Sequence, residues 1–310
     1  EQNPVRGFQS SGTHRLQLGL GKSSKLDSLI LTWPDGQEQK LWDIPVNQRL
    51  TIIQERGKEA YSNQTPPAPL LSAVTAPDFL STQSSVNDFK RQPLLINMPS
   101  HLGPVLASAD LNQDGKPEVY IGGSKGQAGR IYTFSGEKWE PYRGFRSAAE
   151  FTDAVVIFED FNQDGHPDLL LGSGGYHDYL TSDEALRDRL YLNDGQGVLI
   201  PQSDFPDYHI STGAIVPIDL DTDGDLDLFI GGRIIPGRFP ELPESKILIN
   251  QGSGKFTDET STWLTNSKIG MISSGVVQDL NQDGKSDLIL TGEYLSPVVL
   301  INSGKQLTLD

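Results

Sequence analysis

The sequence predicts an all-β fold built from repeated four-stranded antiparallel units, and three observations lead to this class. Short apolar and β-branched runs alternate with turn residues along most of the chain, as in Val119-Tyr-Ile-Gly-Gly. An acidic nine-residue motif occurs four times, with its first aspartates at Asp110, Asp160, Asp219 and Asp279. The spacings of 50, 59 and 60 residues are typical of β-propeller blades, with one four-stranded blade in each repeat.

The first 57 residues differ from the repeats and predict a small β domain. Leu26–Trp33 alternates as a strand does, Pro34-Asp35-Gly36 predicts a turn, and Gln37–Ile44 would return antiparallel. Arg49–Gln54 is expected to form a third strand.

Residues 58–85 contain a cluster of prolines, in Gln64-Thr-Pro-Pro-Ala-Pro69, and predict an extended linker. Residues 86–310 are assigned to the propeller blades. Pro93–Met98 is a candidate strand that would pair with a distant blade.

Each repeat is interpreted as strands A to D, with the acidic motif between A and B. In the first repeat A is Pro104–Ala109, B is Glu118–Gly122 and C is Arg130–Phe134. The other C strands are predicted at Arg189–Asn193, Lys246–Asn250 and Val298–Asn302, each followed by a glycine-containing turn and a short D strand.

The acidic motif has the composition of a calcium loop. It places side-chain oxygens at positions 1, 3, 5 and 9 and a glycine at position 6, which permits the sharp turn that wrapping Ca²⁺ requires. We number the motifs loop 1 (residues 110–118), loop 2 (160–168), loop 3 (219–227) and loop 4 (279–287). The predicted side-chain ligands are Asp110, Asn112, Asp114 and Glu118; Asp160, Asn162, Asp164 and Asp168; Asp219, Asp221, Asp223 and Asp227; and Asp279, Asn281, Asp283 and Asp287. The backbone carbonyls at position 7 are expected to add Lys116, His166, Asp225 and Lys285. The sequence therefore predicts about four Ca²⁺ sites.

The EF-hand is the alternative structure for such a calcium loop, and the residue type at position 12 excludes it. An EF-hand needs a bidentate glutamate there and a helix on each side. The residues at position 12 are Ile121, Leu171, Ile230 and Leu290, and the flanks have the pattern of strands. Each loop is therefore a strand–calcium–strand connection.

The four loops are not equivalent. Loop 3 has four acids and is expected to bind most tightly, whereas loop 1 departs from the pattern because Glu118 is one methylene longer than aspartate. Two roles are open for the ions. We favour a structural role at the corner of each blade over a metal-bridged ligand site.

Composition and charge limit the classes of partner that the chain is expected to bind. The formal charge is −16, and the loops' side-chain ligands include 13 carboxylates. This balance argues against nucleic acid and anionic membrane surfaces. The chain has no cysteine, so neither disulfides nor thiol chemistry is expected. No apolar run reaches the length of a membrane span, and no membrane insertion is expected. Weak multi-site calcium loops fit an extracellular or bacterial outer-surface location, where Ca²⁺ is abundant.

The N-terminal segment resembles the ASPIC/UnbV domain of cartilage acidic protein and many bacterial surface proteins. The resemblance covers most of residues 7–54. It rests on Gly12-Thr-His14, Leu18-Gly-Leu-Gly21, Trp33-Pro-Asp-Gly36 and Asn47-Gln48. His14 has no metal-ligating partner in spacing, and a structural role is favoured.

Residues 86–310 resemble the FG-GAP/VCBS repeats, the calcium-binding propeller blades of integrin α subunits and bacterial adhesion-type proteins. Gly103-Pro104 and the order A strand, acidic loop, B strand, Gly-Gly carry the resemblance. It implies a ring of about seven blades. Since four repeats are visible, we expect a partial propeller of the seven-bladed type, completed by further sequence or left as an open arc.

Two long B–C connections are the candidate partner-binding surface, because they mix aromatic residues with arginine. The residues singled out are Tyr176, His177, Tyr179, Arg233, Arg238 and Phe239. The alternative is that both connections only cover the blades.

Three functions are weighed. The first is a calcium-stabilised surface module that binds a protein or glycan, in an adhesion-type role. The second is a structural subunit of a larger surface complex, such as a nutrient-uptake assembly. The third, a polysaccharide-active enzyme, is disfavoured because the five histidines form no HExxH motif and no nucleophile elbow is present.

Overall fold

The computed structural model describes residues 5–7, 10–11, 15–54, 75–82, 85–101, 103–176 and 179–310. The chain divides into two compact units, residues 1–74 and 75–310. Most of the predicted linker, together with His14 and His177, lies outside the described residues. The three-part domain division therefore remains a prediction.

Unit 1 contains a β-hairpin. Strands β1 (Val5–Gly7) and β2 (Ser10–Ser11) pair, as do β3 (Lys25–Thr32) and β4 (Glu38–Pro45), all antiparallel. The β3–β4 turn closes through Gly36 N–H to the Trp33 carbonyl at 2.9 Å, with Gly36 at φ +81°, a conformation that glycine adopts without strain. The predicted hairpin is confirmed.

The predicted third strand of unit 1 is wrong, since residues 49–54 form no strand. Gln54 Nε2 instead donates to Asp35 Oδ2 at 2.5 Å, and Ile53 is 79% exposed. A side-chain contact to the turn thus holds this segment in place of ladder hydrogen bonds.

Unit 2 contains four-stranded antiparallel sheets, each a meander in chain order. Blade 1 contains β5 (Leu106–Ala109), β6 (Glu118–Ile121), β7 (Arg130–Phe134) and β8 (Trp139–Pro141). Blade 2 contains β9 (Asp153–Glu159), β10 (Asp168–Ser173), β11 (Arg189–Asn193) and β12 (Leu199–Pro201). Blade 3 contains β13 (Ser211–Ile218), β14 (Asp227–Ile234), β15 (Lys246–Asn250) and β16 (Phe256–Asp258). Blade 4 contains β17 (Met271–Gln278), β18 (Asp287–Glu293), β19 (Leu295–Asn302) and β20 (Leu307–Leu309). Within the part of the chain that the structure describes, three short helical segments lie at Asp88–Lys90, Glu184–Leu186 and Thr260–Trp263. The all-β prediction with four-stranded propeller-type blades is confirmed.

The hydrophobic core lies between the blades. Blade 1 packs on blade 2 through Tyr120 and Leu169, and blade 3 packs on blade 4 through Phe229 and Ile272. A Cβ on Gly231 would lie 2.6 Å from Ile272 Cγ2, so this glycine permits the close approach of blades 3 and 4. Burial against the next blade accounts for the nearly continuous apolar B strands.

The segment before blade 1 differs from its prediction, because Pro93–Met98 forms turns. Pro93 has no N–H to donate, and Leu94 and Ile96 are 89% and 69% exposed. Buried Asp88 holds the segment instead, since its carboxylate accepts from Ser100 N at 2.8 Å and Ser100 Oγ at 2.6 Å.

Candidate metal centres

The acidic loops form the A–B corners of the four blades, as predicted from the strand flanks. Each loop turns at position 4 and again at glycine 6, with positive φ at both. In loop 2 these are Gln163 at +57° and Gly165 at +87°. The position-4 residues of the other loops are Gln113, Thr222 and Gln282, all between +56° and +64°.

Hydrogen bonds inside each loop hold the side chains at positions 1, 3 and 5. In loop 2, Asp160 Oδ1 accepts from Asp164 N at 3.1 Å, and Asp160 Oδ2 accepts from Gly165 N at 2.8 Å. Asn162 Oδ1 accepts from Asp164 N at 3.0 Å, and Asp164 Oδ1 accepts from His166 N at 2.9 Å. Loops 1 and 4 repeat this set of bonds, and loop 3 repeats most of it. The predicted ligand side chains are thus gathered in one turn.

The position-9 carboxylate closes each loop from the first residue of strand B. In loop 3, Asp227 is fully buried, and its Oδ2 accepts from Leu220 N at 2.9 Å. Its Oδ1 accepts from the backbone N of Asn250, at the end of strand C, at 2.8 Å. Asp168 and Asp287 make the equivalent bonds in loops 2 and 4. Each carboxylate oxygen retains a lone pair that can face an ion.

The carboxylate oxygens of loops 3 and 1 are placed where a bound cation would be favourable. Asp219, Asp221 and Asp227 each offer an oxygen, and these three atoms lie within 4.8 Å of one another. Asp219 Oδ1 and, in loop 1, Glu118 Oε1 are buried without a hydrogen-bond partner. A buried unsatisfied acceptor is unfavourable, and a clustered negative charge makes it more so. Acidic groups that can hold a metal ion are therefore present at the corner formed by loop 3.

The pKa values of Asp227, Asp168 and Glu118 also indicate that a cation would be favourable beside them. Burial raises the pKa of Asp227 to about 7 and that of Asp168 to about 6, although backbone N–H donors oppose the shift in both. Burial likewise raises the pKa of Glu118. Since desolvation disfavours the charged form, a divalent cation beside these groups would restore their ionisation.

The carbonyl ligands predicted at position 7 remain a prediction. At this position the structure shows the backbone N–H, which donates to the carboxylate at position 5, as Lys116 N does to Asp114 Oδ1 at 2.9 Å.

Two of the residues expected at a partner surface are buried, which corrects that prediction. Tyr176 is fully buried against Leu95 and Ile234, and Tyr179 is 3% exposed. Arg91 donates to the backbone carbonyls of both tyrosines, at 3.0 and 2.7 Å. These tyrosines anchor the blade 2 connection on the segment that precedes blade 1, and their rings are buried rather than exposed at the surface.

The B–C connection of blade 3 contains both half-buried and exposed candidate residues. Arg233 is half-buried and ion-pairs with Glu293 of blade 4 at 2.5 Å. The half-buried ring of Phe239 packs edge-on against Tyr294. The Arg238 side chain is 58% exposed and lines a cavity of about 210 Å³ between the two connections. Of the candidate contact residues that the structure describes, Arg238 is the one that faces solvent, and partner binding there remains a prediction.

Two features were missed from the sequence. The first is a group of Glu184, Asp207 and His209, whose ligand atoms lie within 4.8 Å of one another. Arg187 Nε lies 3.6 Å from Asp207 Oδ1, so one carboxylate of this group already has a cationic neighbour. Residues far apart in sequence build this group, and no motif marks it.

The second feature is the asparagine that ends strand C in blades 2, 3 and 4. These residues are Asn193, Asn250 and Asn302, each two positions before a turn glycine. That repeated Asn-x-Gly pattern was a visible signal, but the sequence does not show what the side chain contacts.

Two family models match segments of the chain. The model described as ASPIC and UnbV matches residues 1–59, and the model described as FG-GAP-like repeat matches residues 110–171. Both resemblances drawn from the sequence are confirmed by these matches.

The chain is also similar to mammalian proteins named phosphatidylinositol-glycan-specific phospholipase D. The protein from Rattus norvegicus is 30% identical over 164 residues, covering 44% of this chain and 19% of the relative. That of Mus musculus is 30% identical over 162 residues, and that of Homo sapiens 28% over 165, with the same coverage. The chain thus spans about a fifth of the length of these curated relatives. Among the described residues, no helix is long and apolar enough to cross a membrane.

Proposed function

We propose that this chain, which carries an ASPIC/UnbV segment and FG-GAP-like repeats, is a calcium-binding extracellular or cell-surface module that binds a protein or glycan. One observation carries the calcium assignment: four acidic loops repeat one hydrogen-bonded geometry at the corners of four blades. The unpartnered oxygens of Asp219 and Glu118 support it, since each lacks the positive partner that a buried carboxylate requires.

The loop residues would hold the ion as follows. The side chains at positions 1, 3, 5 and 9 supply carboxylate and amide oxygens, the ligands that Ca²⁺ prefers, and the position-7 carbonyl adds one more. Bound Ca²⁺ supplies positive charge that offsets the repulsion among these carboxylates. The corner between strands A and B then becomes stiff, which fits a structural role for the ions.

FG-GAP repeats are typical of extracellular proteins, which supports a surface location. The relatives are named for specificity toward a phosphatidylinositol glycan, which makes an inositol glycan the first ligand to test. Only the repeat region aligns with them, so phospholipase activity is not part of the proposal. A structural subunit of a larger surface complex is the second candidate, and copurified partner chains would favour it.

The calcium assignment is tested by thermal unfolding of the full chain. A chelator should lower the Tm, and added Ca²⁺ should restore it, because a ligand that binds only the folded state stabilises it by about 2.7 kcal/mol per site at a hundredfold excess over Kd. Calorimetric titration of Asp223→Ala should show one site fewer than the wild type. An unchanged Tm with chelator, or an unchanged stoichiometry in the variant, would count against the assignment.

A further inference from the structure

A buried asparagine at the end of strand C reaches across to the acidic loop of the preceding blade. Asn302 is fully buried, and its Nδ2 donates to the Leu220 carbonyl of loop 3 at 2.9 Å. The side chain of Asn250 bonds the Phe161 carbonyl of loop 2 at 2.8 Å. Asn193 does the same to the position-2 carbonyl of loop 1, at 2.9 Å. The contact therefore joins each adjacent pair of loops at the same point.

The same asparagine holds the position-9 carboxylate of its own blade. The backbone N of Asn302 donates to Asp287 Oδ1 at 2.8 Å, and the N of Asn250 donates to Asp227 Oδ1 at 2.8 Å. Asp227 in turn accepts from the N–H of Leu220, the residue whose carbonyl Asn302 holds. Hydrogen bonds thus run without a break from loop 2 through loop 3 to loop 4.

Blade 1 is informative because it lacks this contact. Phe134 ends its C strand where the other blades have asparagine, and no four-stranded blade precedes it among the described residues. The asparagine is thus present in each described blade that has a preceding loop to reach.

A second link joins the earlier loops at the surface. Gln113 Nε2 donates to the Gly165 carbonyl, and Gln163 Nε2 donates to the Gly224 carbonyl, both at 2.8 Å. Loop 3 has Thr222 in the same place, and its hydroxyl donates to the Asp221 carbonyl within its own loop. Among the described contacts of these two kinds, the pair formed by loops 3 and 4 therefore depends on Asn302.

We propose that Asn193, Asn250 and Asn302 are positioning residues that couple neighbouring loops, so that a cation bound in one loop raises the affinity of the next. The inference rests on the proposed binding of Ca²⁺ by these loops. An ion that orders loop 3 also fixes the Leu220 carbonyl and, through Asn302, the Asp287 carboxylate. Loop 4 then loses less conformational entropy when it binds its own ion. Such coupling is reciprocal, and about fivefold per adjacent pair is the low end of its usual range.

Hydrogen–deuterium exchange of the full chain, followed across a Ca²⁺ titration, gives a separate midpoint for each loop. The perturbation is Asp223→Ala, which disables loop 3. When Asp223→Ala is the only substitution, the Ca²⁺ midpoints of loops 2 and 4 should both rise about fivefold. With Asn302→Leu added, the loop 4 shift should disappear while the loop 2 shift remains, because Asn250 is intact. Lys305→Ala, an exposed change in the same turn, is the matched control and should leave both shifts in place.

The outcomes separate the two proposals. If Ca²⁺ protects the loops but Asp223→Ala moves the midpoint of neither neighbouring loop, the coupling is refuted and calcium binding stands. This comparison uses only the wild type and Asp223→Ala, so it does not depend on whether an asparagine variant folds. A loop 4 shift that survives Asn302→Leu would refute the assignment to this residue. If Ca²⁺ protects no loop in the wild type, the proposed function itself falls.

Discussion

The buried carboxylate of Asp188 should make the stability of unit 2 depend on pH. Asp188 lies directly before β11 and is 2% exposed. It accepts from Ser173 N at 2.7 Å, from Tyr208 Oη at 2.9 Å and from Thr212 Oγ1 at 2.9 Å, so it joins blade 2 to blade 3. Burial is the largest influence and raises its pKa to about 7, against the opposing effect of these donors.

The sign of the effect follows from that shift. A folded-state pKa above the unfolded value means that the protonated form favours folding. The contribution is therefore complete below about pH 4 and is lost as the pH rises through 7. Between pH 5 and 7 the Asp188 group alone should reduce the free energy of unfolding by on the order of 2 kcal/mol.

Denaturant unfolding of the wild type and of Asp188→Asn, at pH 5, 6, 7 and 8, measures this contribution. The asparagine is neutral throughout, so its advantage over the wild type should grow with pH by roughly 2 kcal/mol from pH 5 to 7. Asp188→Ala removes the acceptor as well as the charge, so it should destabilise by about 1–3 kcal/mol at pH 5, and this deficit should shrink toward pH 7 as the wild type loses stability. A difference between wild type and Asp188→Asn that stays constant with pH would refute the reasoning.

Two further predictions concern the contacts between blades. Phe229→Ala, at a fully buried position between blades 3 and 4, should lower the free energy of unfolding by about 3–5 kcal/mol in a urea titration; a loss below 1 kcal/mol would mean that the site collapses or is not packed as described. Asp153→Ala removes the ion-pair partner of Arg189, which lies 2.5 Å from Asp153 and whose side chain is 11% exposed. It also removes the carboxylate that accepts from Tyr120 Oη at 2.6 Å. Because this leaves a buried charge unpaired, a loss of about 3–5 kcal/mol is expected, whereas the double variant Asp153→Ala with Arg189→Met should recover part of it; no recovery would contradict the buried-charge explanation.

Local patterns predicted the repeating parts of the fold well. The C strands Arg189–Asn193 and Lys246–Asn250 have the predicted bounds, because a short apolar run followed by a glycine turn defines both ends. The acidic loops were located for a similar reason, since the spacing of oxygen donors within nine residues is a local property. Position 12 and the strand flanks were enough to exclude an EF-hand.

What the sequence left unresolved depends on contacts between distant residues. Tyr176 was taken for a surface residue because aromatic side chains in long loops suggest recognition. It is buried because it packs against Leu95 and Ile234, and it is held there by hydrogen bonds with Arg91 and Gln92, more than 80 residues earlier. The role of Asn250 is hidden in the same way, as its acceptor Phe161 lies 89 residues away. Neither distance can be read from periodicity or composition.

The outermost strand of every blade has a consequence for aggregation. Strands β8, β12, β16 and β20 are each three residues long, so the sheet edge that each forms offers little backbone for another chain to extend. Pro141 and Pro201 end two of them and have no N–H to donate. Edge-to-edge pairing through these four strands is therefore opposed by their geometry. This protection of the fourth strands comes from backbone geometry and is independent of the negative charge of the chain.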